Sequence, residues 1–245
     1  MDNTVLELPK SKVAAKTTNP RVLVIYSKPK AGKTSLFAGL ENNLILDLEE
    51  GSDFLEALKV KISGYKDILD IGKKIKEANC PYKYITIDTV TALEDMAKPL
   101  ALDQYKNSTL GKNYTGKNIL ELPQGGGYLW LREAFFNLIS YVKSLSEYTI
   151  LSGHIKDKQI NDNGATVAAA NIDLTGKIKS LICANADSIG YLYRIGNETH
   201  ISFKSNDEVT CGSRSPHLSN QDIIVAEMVN GELITHWDRI YLSND

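Results

Sequence analysis

Apolar runs of strand length alternate along this chain with longer stretches of helical period, and that alternation predicts the elements in turn. Residues 21–26 (RVLVIY) are apolar enough for a central strand, and 35–40 (SLFAGL) present a short helical face. A second buried strand is predicted over 43–48 and a helix over 52–60; Ile68, Ile71, Ile75 and Ala78 predict a further helix over 65–78. Residues 82–88 (YKYITID) read as a strand ending in an acid, followed by a helix over 90–105 in which Pro99 predicts a kink or a break. The polar, glycine-rich stretch 107–127 is expected to be a long loop. Helical period returns over 128–147 through Leu131, Phe135, Leu138, Ile139, Val142 and Leu145, and 148–154 form the next strand. After a second polar loop over 155–171, a helix is predicted at 174–184, a strand at 187–195, and its hairpin partner at 198–204 across Gly196-Asn197. Short strands end the chain. The whole predicts an α/β fold: a mostly parallel sheet flanked by helices, with antiparallel strands added at the C-terminal edge.

Between the first strand and its helix stands SKPKAGKT, residues 27–34, close to the GxxxxGK[ST] pattern. Strand, loop and helix in that order bring backbone N–H groups and the positive end of a helix to one anion. Ser27, Lys28, Pro29, Lys30, Ala31, Gly32, Lys33, Thr34 and Ser35 are therefore the candidate nucleotide-binding residues, with Lys33 reaching the β- and γ-phosphates and Thr34 holding Mg²⁺. The other reading of these residues is a lysine-rich surface turn. Ser27 occupies the place of the first glycine, where a side chain is expected to fit a tight turn less well. Lys28 stands where a separate branch of ATPases carries a signature lysine, without the glycines that accompany it, and has no assigned role.

Composition changes the picture little. With 245 residues, 24% charged, and a net charge of −2, the chain suits one α/β domain and shows no global excess of positive charge. The charge is uneven, because seven Lys or Arg and no acid lie between Leu8 and Leu40. Residues 1–20 are expected to be a flexible arm, solvated or touching DNA, ahead of a domain spanning 21–245. Cys80, Cys183 and Cys211 form no CxxC pair and suggest a reducing compartment, and the four histidines lack zinc spacing. No signal-like or membrane-length apolar run occurs, so a cytoplasmic protein without a membrane partner is expected.

Hydrolysis at such a loop needs a carboxylate near Mg²⁺ and a group to orient water. Asp88 ends a predicted strand on the side where α/β sheets bind ligands, and it reads as that carboxylate or as a cap for the next helix. Glu49 and Glu50 follow the second strand as candidates for orienting water, or as a solvated turn. His154 ends the fourth strand on the same side, as a γ-phosphate sensor or a hydrogen-bonded structural histidine. Arg214 is a surface arginine or one that reaches the γ-phosphate of a neighbouring subunit.

Taken together, the loop, ILDLEEG, YITIDTVTALEDM, GGGYLWLREAF, the strand ending in His154 and the late Arg214 resemble the bacteriophage-encoded RecA-like P-loop ATPases. That group of AAA-domain nucleotide-binding proteins includes the Sak type, which acts in single-strand annealing. The resemblance spans about residues 20–220. It implies ATP and Mg²⁺ as cofactors, Lys33 and Thr34 at phosphate and Mg²⁺, Asp88 at the metal, Glu49 as the activating acid, His154 as sensor and Arg214 as a residue acting across a homo-oligomer. It also implies that the loops at 107–127 and 155–171 bind single-stranded DNA, with Lys112, Lys117, Lys156 and Lys158 on phosphates and Tyr114 stacking on a base. A single-stranded DNA-binding protein is a further partner of such a system. The expected function is Mg²⁺-dependent ATP hydrolysis on single-stranded DNA in phage recombination or replication. The alternatives are an ATP-gated loader or scaffold that binds a protein without DNA, and a small-molecule nucleotide kinase, which five scattered arginines disfavour.

Overall fold

The computed structural model describes residues 8, 10–15, 17–156, 171–205 and 209–243. The elements are β1 (Val22–Ser27), α1 (Lys33–Ala38), β2 (Asn43–Asp47), β3 (Lys59–Lys61), α2 (Tyr65–Glu77), β4 (Tyr84–Asp88), α3 (Val90–Asn107), α4 (Gly126–Lys143), β5 (Tyr148–Lys156), β6 (Asn171–Ile172), α5 (Gly176–Asn185), β7 (Ser188–Ile195), β8 (Glu198–Ser202), β9 (Gly212–Ser213), β10 (Asp222–Val229) and β11 (Glu232–Thr235). The main sheet runs β3–β2–β4–β5–β1–β7–β8–β10–β11. Its strands are parallel from β3 to β7 and antiparallel from β7 to β11, as the alternation of elements predicts.

Every residue of β1 is buried, which fits its place between β5 and β7. Successive side chains of a strand point to opposite faces, so β1 feeds two cores. Val22, Val24 and Tyr26 pack with α2, α3, α4 and α5, whereas Leu23 and Ile25 pack with Leu36 and Phe37 of α1 and with Trp237, Ile240 and Tyr241 near the C-terminus. The C-terminal segment thus covers the side of the sheet that carries α1. Trp237 Nε1 donates to the Leu36 carbonyl at 2.9 Å, and Thr235 Oγ1 donates to the Gly39 carbonyl at 3.0 Å. Asn19 is tied to the same region, exchanging two hydrogen bonds of 2.8 Å with the Leu242 backbone.

Three predicted elements differ. The helix expected over 52–60 is a series of turns leading into β3, whose partner is β2. Backbone groups there are taken elsewhere: Asp47 accepts from Ser52, and the Leu58 carbonyl accepts from Ile45 N at 2.8 Å. Pro99 does not break α3, which continues through it to Asn107. Pro99 sits on the exposed side, where the carbonyl it leaves without an N–H partner is reached by water, while Leu93, Ala97 and Ala101 hold the buried face. The stretch expected as one long loop over 107–127 contains two short 3₁₀ turns, Ile119–Glu121 and Pro123–Gly125, and α4 begins at Gly126. Ile119 and Leu122 anchor it in the core. A side chain at Gly127 would collide with the Ile119 carbonyl, so only glycine allows that approach. Most of the second loop, residues 157–170, lies outside the described residues; its flanks, residues 155–156 and 171–172, pair antiparallel in β5 and β6. No helix among the described residues is long and apolar enough to cross a membrane.

Candidate nucleotide-binding site

The carboxyl ends of β1, β2, β4 and β5 meet at one edge of the sheet. Strand register aligns Ser27 with His154, Asp88 with Ser152, and Asp47 with Asp88. Between β1 and α1 the loop turns through Lys30 (φ 62°) and Gly32 (φ 94°), and the Gly32 carbonyl accepts the first helical hydrogen bond, from Leu36 N at 3.0 Å. Ser27 departs from the expectation of a poorly fitted turn. It is the last residue of β1 and its φ is not positive, so a side chain costs the backbone nothing there. The left-handed positions of the loop fall at Lys30 and Gly32 instead.

A cavity of about 420 Å³ opens above the loop, lined by Pro29, Lys30, Ala31, Gly32, Lys33, Thr34 and Ser35, and facing them by Glu49, Asp88, Thr89 and His154. Lys28 is exposed and does not line it. Lys33 is buried and donates from Nζ to Ser27 Oγ at 2.9 Å. Burial holds its pKa below the usual lysine value, with Asp88 and Glu49 pulling the other way. Thr34 Oγ1 donates to Asp88 Oδ2 at 2.8 Å. Burial raises the Asp88 pKa, opposed by hydrogen bonds including that from Thr34 and by the Lys33 charge. A hydroxyl and a carboxylate side by side in the lining of this cavity are hard oxygen donors that suit Mg²⁺.

Of the two acids after β2, Glu49 faces the cavity. Thr89 Oγ1 donates to Glu49 Oε1 at 2.7 Å, and His154 Nε2 stands 2.9 Å from Oε2 and 3.2 Å from Oε1. Both carboxylate oxygens are thereby fixed. His154 Nδ1 is buried and has no protein partner among the described residues. Glu50 turns outward with φ 60° and pairs with Lys61 at 2.6 Å. The residue that shapes this turn is Asp47, which the sequence reading passed over as the end of a strand. Its carboxylate accepts from the backbone N–H groups of Glu49, Gly51 and Ser52 at 3.2, 3.1 and 2.9 Å, and from the Ser52 hydroxyl. An acid closing a strand two residues before the acid that faces the cavity was the available signal.

Arg214 lies at the other edge of the sheet. Its backbone N–H bonds Asp187 O, and its guanidinium bonds Ala184 O at 2.7 Å and stands 3.7 Å from Asp187 Oδ1, just before β7, whose Ser188 aligns with Leu23 of β1. The structure therefore does not bring it to the phosphate loop of its own chain. Arg194, which sequence reasoning gave no role, lies on β7 beyond the end of its pairing with β1. It lines a second cavity of about 410 Å³ that shares Gly32, Ser35 and Leu55 with the first.

A family model described as an AAA domain matches residues 19–215. No curated protein matches the sequence. Among solved structures, the chain is similar to the KaiC-like protein PH0186 from the hyperthermophilic archaeon Pyrococcus horikoshii OT3, at 13% identity and a TM-score of 0.45 over 88% of this chain and 89% of that one. It is also similar to the RadB recombinase, at 11% identity and a TM-score of 0.46 over 88% of this chain and 91% of that one.

Proposed function

Since the chain belongs to the AAA domain family, we propose that it binds ATP with Mg²⁺, hydrolyses it, and acts on single-stranded DNA in annealing or strand pairing, in bacteriophage recombination or replication. The observation that carries the reading is the convergence of Lys33, Thr34, Asp88, Glu49 and His154 on one cavity above the loop. Mg²⁺, held by Thr34 and Asp88, would supply charge neutralisation at the phosphates. Lys33 brings an ammonium to the β- and γ-phosphates from a site with little competing water, where a charge acts most strongly. Glu49 orients the attacking water. Thr89 and His154 hold its carboxylate in place, so a His154 that moves with the γ-phosphate would also move Glu49.

For DNA the supporting feature is a cavity of about 530 Å³ where α4 and α5 begin, next in the chain to the loops expected over 107–127 and 155–171. Tyr128, Leu129, Arg132 and Lys177 line it with no acid among them, a composition suited to an unstacked base and its phosphates. Tyr128, not Tyr114, is the exposed aromatic: the Tyr114 ring packs edge-on against Tyr105 and its hydroxyl donates to Asn118 O. A homo-oligomer, with Arg214 reaching a neighbouring subunit, an N-terminal arm over 1–20 and a single-stranded DNA-binding protein as partner, belongs to the same proposal.

The test is steady-state ATP hydrolysis with Mg²⁺, with and without single-stranded DNA. Lys33→Ala should abolish turnover, and Glu49→Gln should keep ATP binding while stopping hydrolysis. Wild-type turnover in Lys33→Ala would remove the site. Hydrolysis indifferent to DNA would favour the loader or scaffold, and phosphate transfer to a nucleoside monophosphate would favour the kinase.

A further inference from the structure

The Ser27 hydroxyl is engaged on both sides. It donates to the Lys28 carbonyl at 2.8 Å and accepts from Lys33 Nζ at 2.9 Å, and the residue is completely buried. Giving its hydrogen to the carbonyl fixes the direction of its lone pairs, so the oxygen offers Lys33 an oriented acceptor. A lysine ammonium on four rotatable bonds has no geometry of its own. Asp88 and Glu49, which face the same cavity, both attract the Lys33 charge. Without a neutral acceptor on the β1 side, the ammonium is drawn into a direct ion pair with carboxylates that have other work: Asp88 holds the Thr34 hydroxyl, and Glu49 is bonded to Thr89 and His154.

We propose that Ser27 is a positioning residue for Lys33, its hydroxyl standing where phosphate loops carry glycine and holding the ammonium on the β1 side of the cavity. One of the three N–H donors of Lys33 goes to Ser27, which leaves two to meet phosphate oxygens. The extended backbone at Ser27 is what permits a side chain at this point, and its hydroxyl lies buried beneath the cavity lining, in contact with Lys33, which does line it. This inference rests on the nucleotide-site reading above.

The experiment compares wild type with Ser27→Ala, Ser27→Gly and Ser27→Thr, measuring kcat and KM for ATP hydrolysis and, separately, equilibrium affinity for a fluorescent ATP analogue. Ser27→Ala and Ser27→Gly should lower kcat roughly tenfold while affinity changes less, the loss expected for one hydrogen bond to a charged group. Ser27→Thr, which keeps the hydroxyl on an extended backbone, should recover most of the rate. A merely structural serine would not give that recovery. The glycine variant restores the usual loop residue and provides the decisive comparison if the alanine variant folds poorly. Wild-type or faster turnover in Ser27→Gly overturns the positioning role while leaving the nucleotide site intact. A wild-type protein that neither binds nor hydrolyses ATP overturns both.

Discussion

Asp47 closes β2 with a carboxylate folded over the turn that follows, and this one side chain decides which of two adjacent acids enters the site. Its hydrogen bonds to the N–H groups of Glu49, Gly51 and Ser52 and to the Ser52 hydroxyl leave Glu49 facing Thr89 and His154 while Glu50 points to Lys61. Burial alone would raise the Asp47 pKa, but the bonds from Ser52, Glu49 and Gly51 outweigh it and leave the value below that of a free aspartate. A depressed folded-state pKa means stabilisation that is complete above the unfolded value, about 3.9, and is lost as pH falls through the folded value. Asp47→Asn should therefore cost roughly 1–3 kcal/mol at pH 7. The gap from wild type should begin to narrow as the pH falls below about 4 and close only once it has passed the lower folded value, where Asp47 is protonated in the folded protein as well. Urea midpoints across that range would measure it, and a gap independent of pH would mean that the carboxylate charge contributes nothing. Sequence reading found Glu49 and Glu50 together because LEEG follows a strand. The residue pattern alone could not separate them, and only the family resemblance singled out Glu49, since the separation depends on hydrogen bonds made within a turn whose φ values no pattern reports.

At the scale of elements, periodicity located most strands and helices, because burial imposes a period of two or 3.6 wherever an element has one wet face. It failed where tertiary contacts replace period. Residues 52–60 carry Phe54 and Leu58 at helical spacing, yet Phe54 is fully exposed and Leu58 half exposed; the segment is held by backbone bonds to β2 instead. Helix α1 shows the same dependence from the other side. It has only six residues, too short to be stable alone, and its N-terminal boundary is a glycine without a capping side chain. Its last turn is secured from residues 200 positions away, by the Trp237 indole on the Leu36 carbonyl and the Thr235 hydroxyl on the Gly39 carbonyl. Trp237→Phe should remove the indole's hydrogen bond to the Leu36 carbonyl, which then keeps only the Gly39 N–H at 3.2 Å, and leave some space around Phe37. The expected loss is about 2 kcal/mol of stability. Amide hydrogen exchange at residues 36–40 should rise more than in the strands of the central sheet. Uniform acceleration across the molecule would show that Trp237 supports the core at large and not the phosphate-loop helix.

Across the whole molecule, the sheet separates two edges and two faces. The parallel half, β3 to β7, carries the candidate phosphate loop at one edge, and that edge was legible because Ser27 and Asp88 end β1 and β4 and His154 stands two residues before the end of β5. The positions of Arg214 and Arg194 were not legible. Which end of β7 an arginine occupies follows only from the parallel register of β7 with β1. The same limit applied to the proposed DNA contacts, where the polar loops suggested a location and Lys112, Lys117, Lys156, Lys158 and Tyr114 were the expected side chains, but nothing in the pattern pointed to the cavity where α4 and α5 begin. The structure puts Tyr128 and Leu129 in the open at the start of α4 and sets Arg132 and Lys177 around them, while Tyr114 is occupied. If this cavity receives single-stranded DNA, Tyr128→Ala should weaken binding of a labelled oligothymidylate by roughly tenfold, the scale of one lost base stack. Arg132→Ala should weaken it too, and should also flatten the dependence of log affinity on log salt by about 0.7 unit, because a phosphate contact on a single strand releases counterion and a stacking contact does not. Fluorescence anisotropy at several salt concentrations separates the two effects. Neither side chain lines the phosphate cavity, so basal ATP hydrolysis should stay at the wild-type rate in both variants. Unchanged DNA affinity in both would move the DNA surface elsewhere, and a Tyr128→Ala loss accompanied by a lower salt slope would mean that the ring acts by placing a cation rather than by stacking.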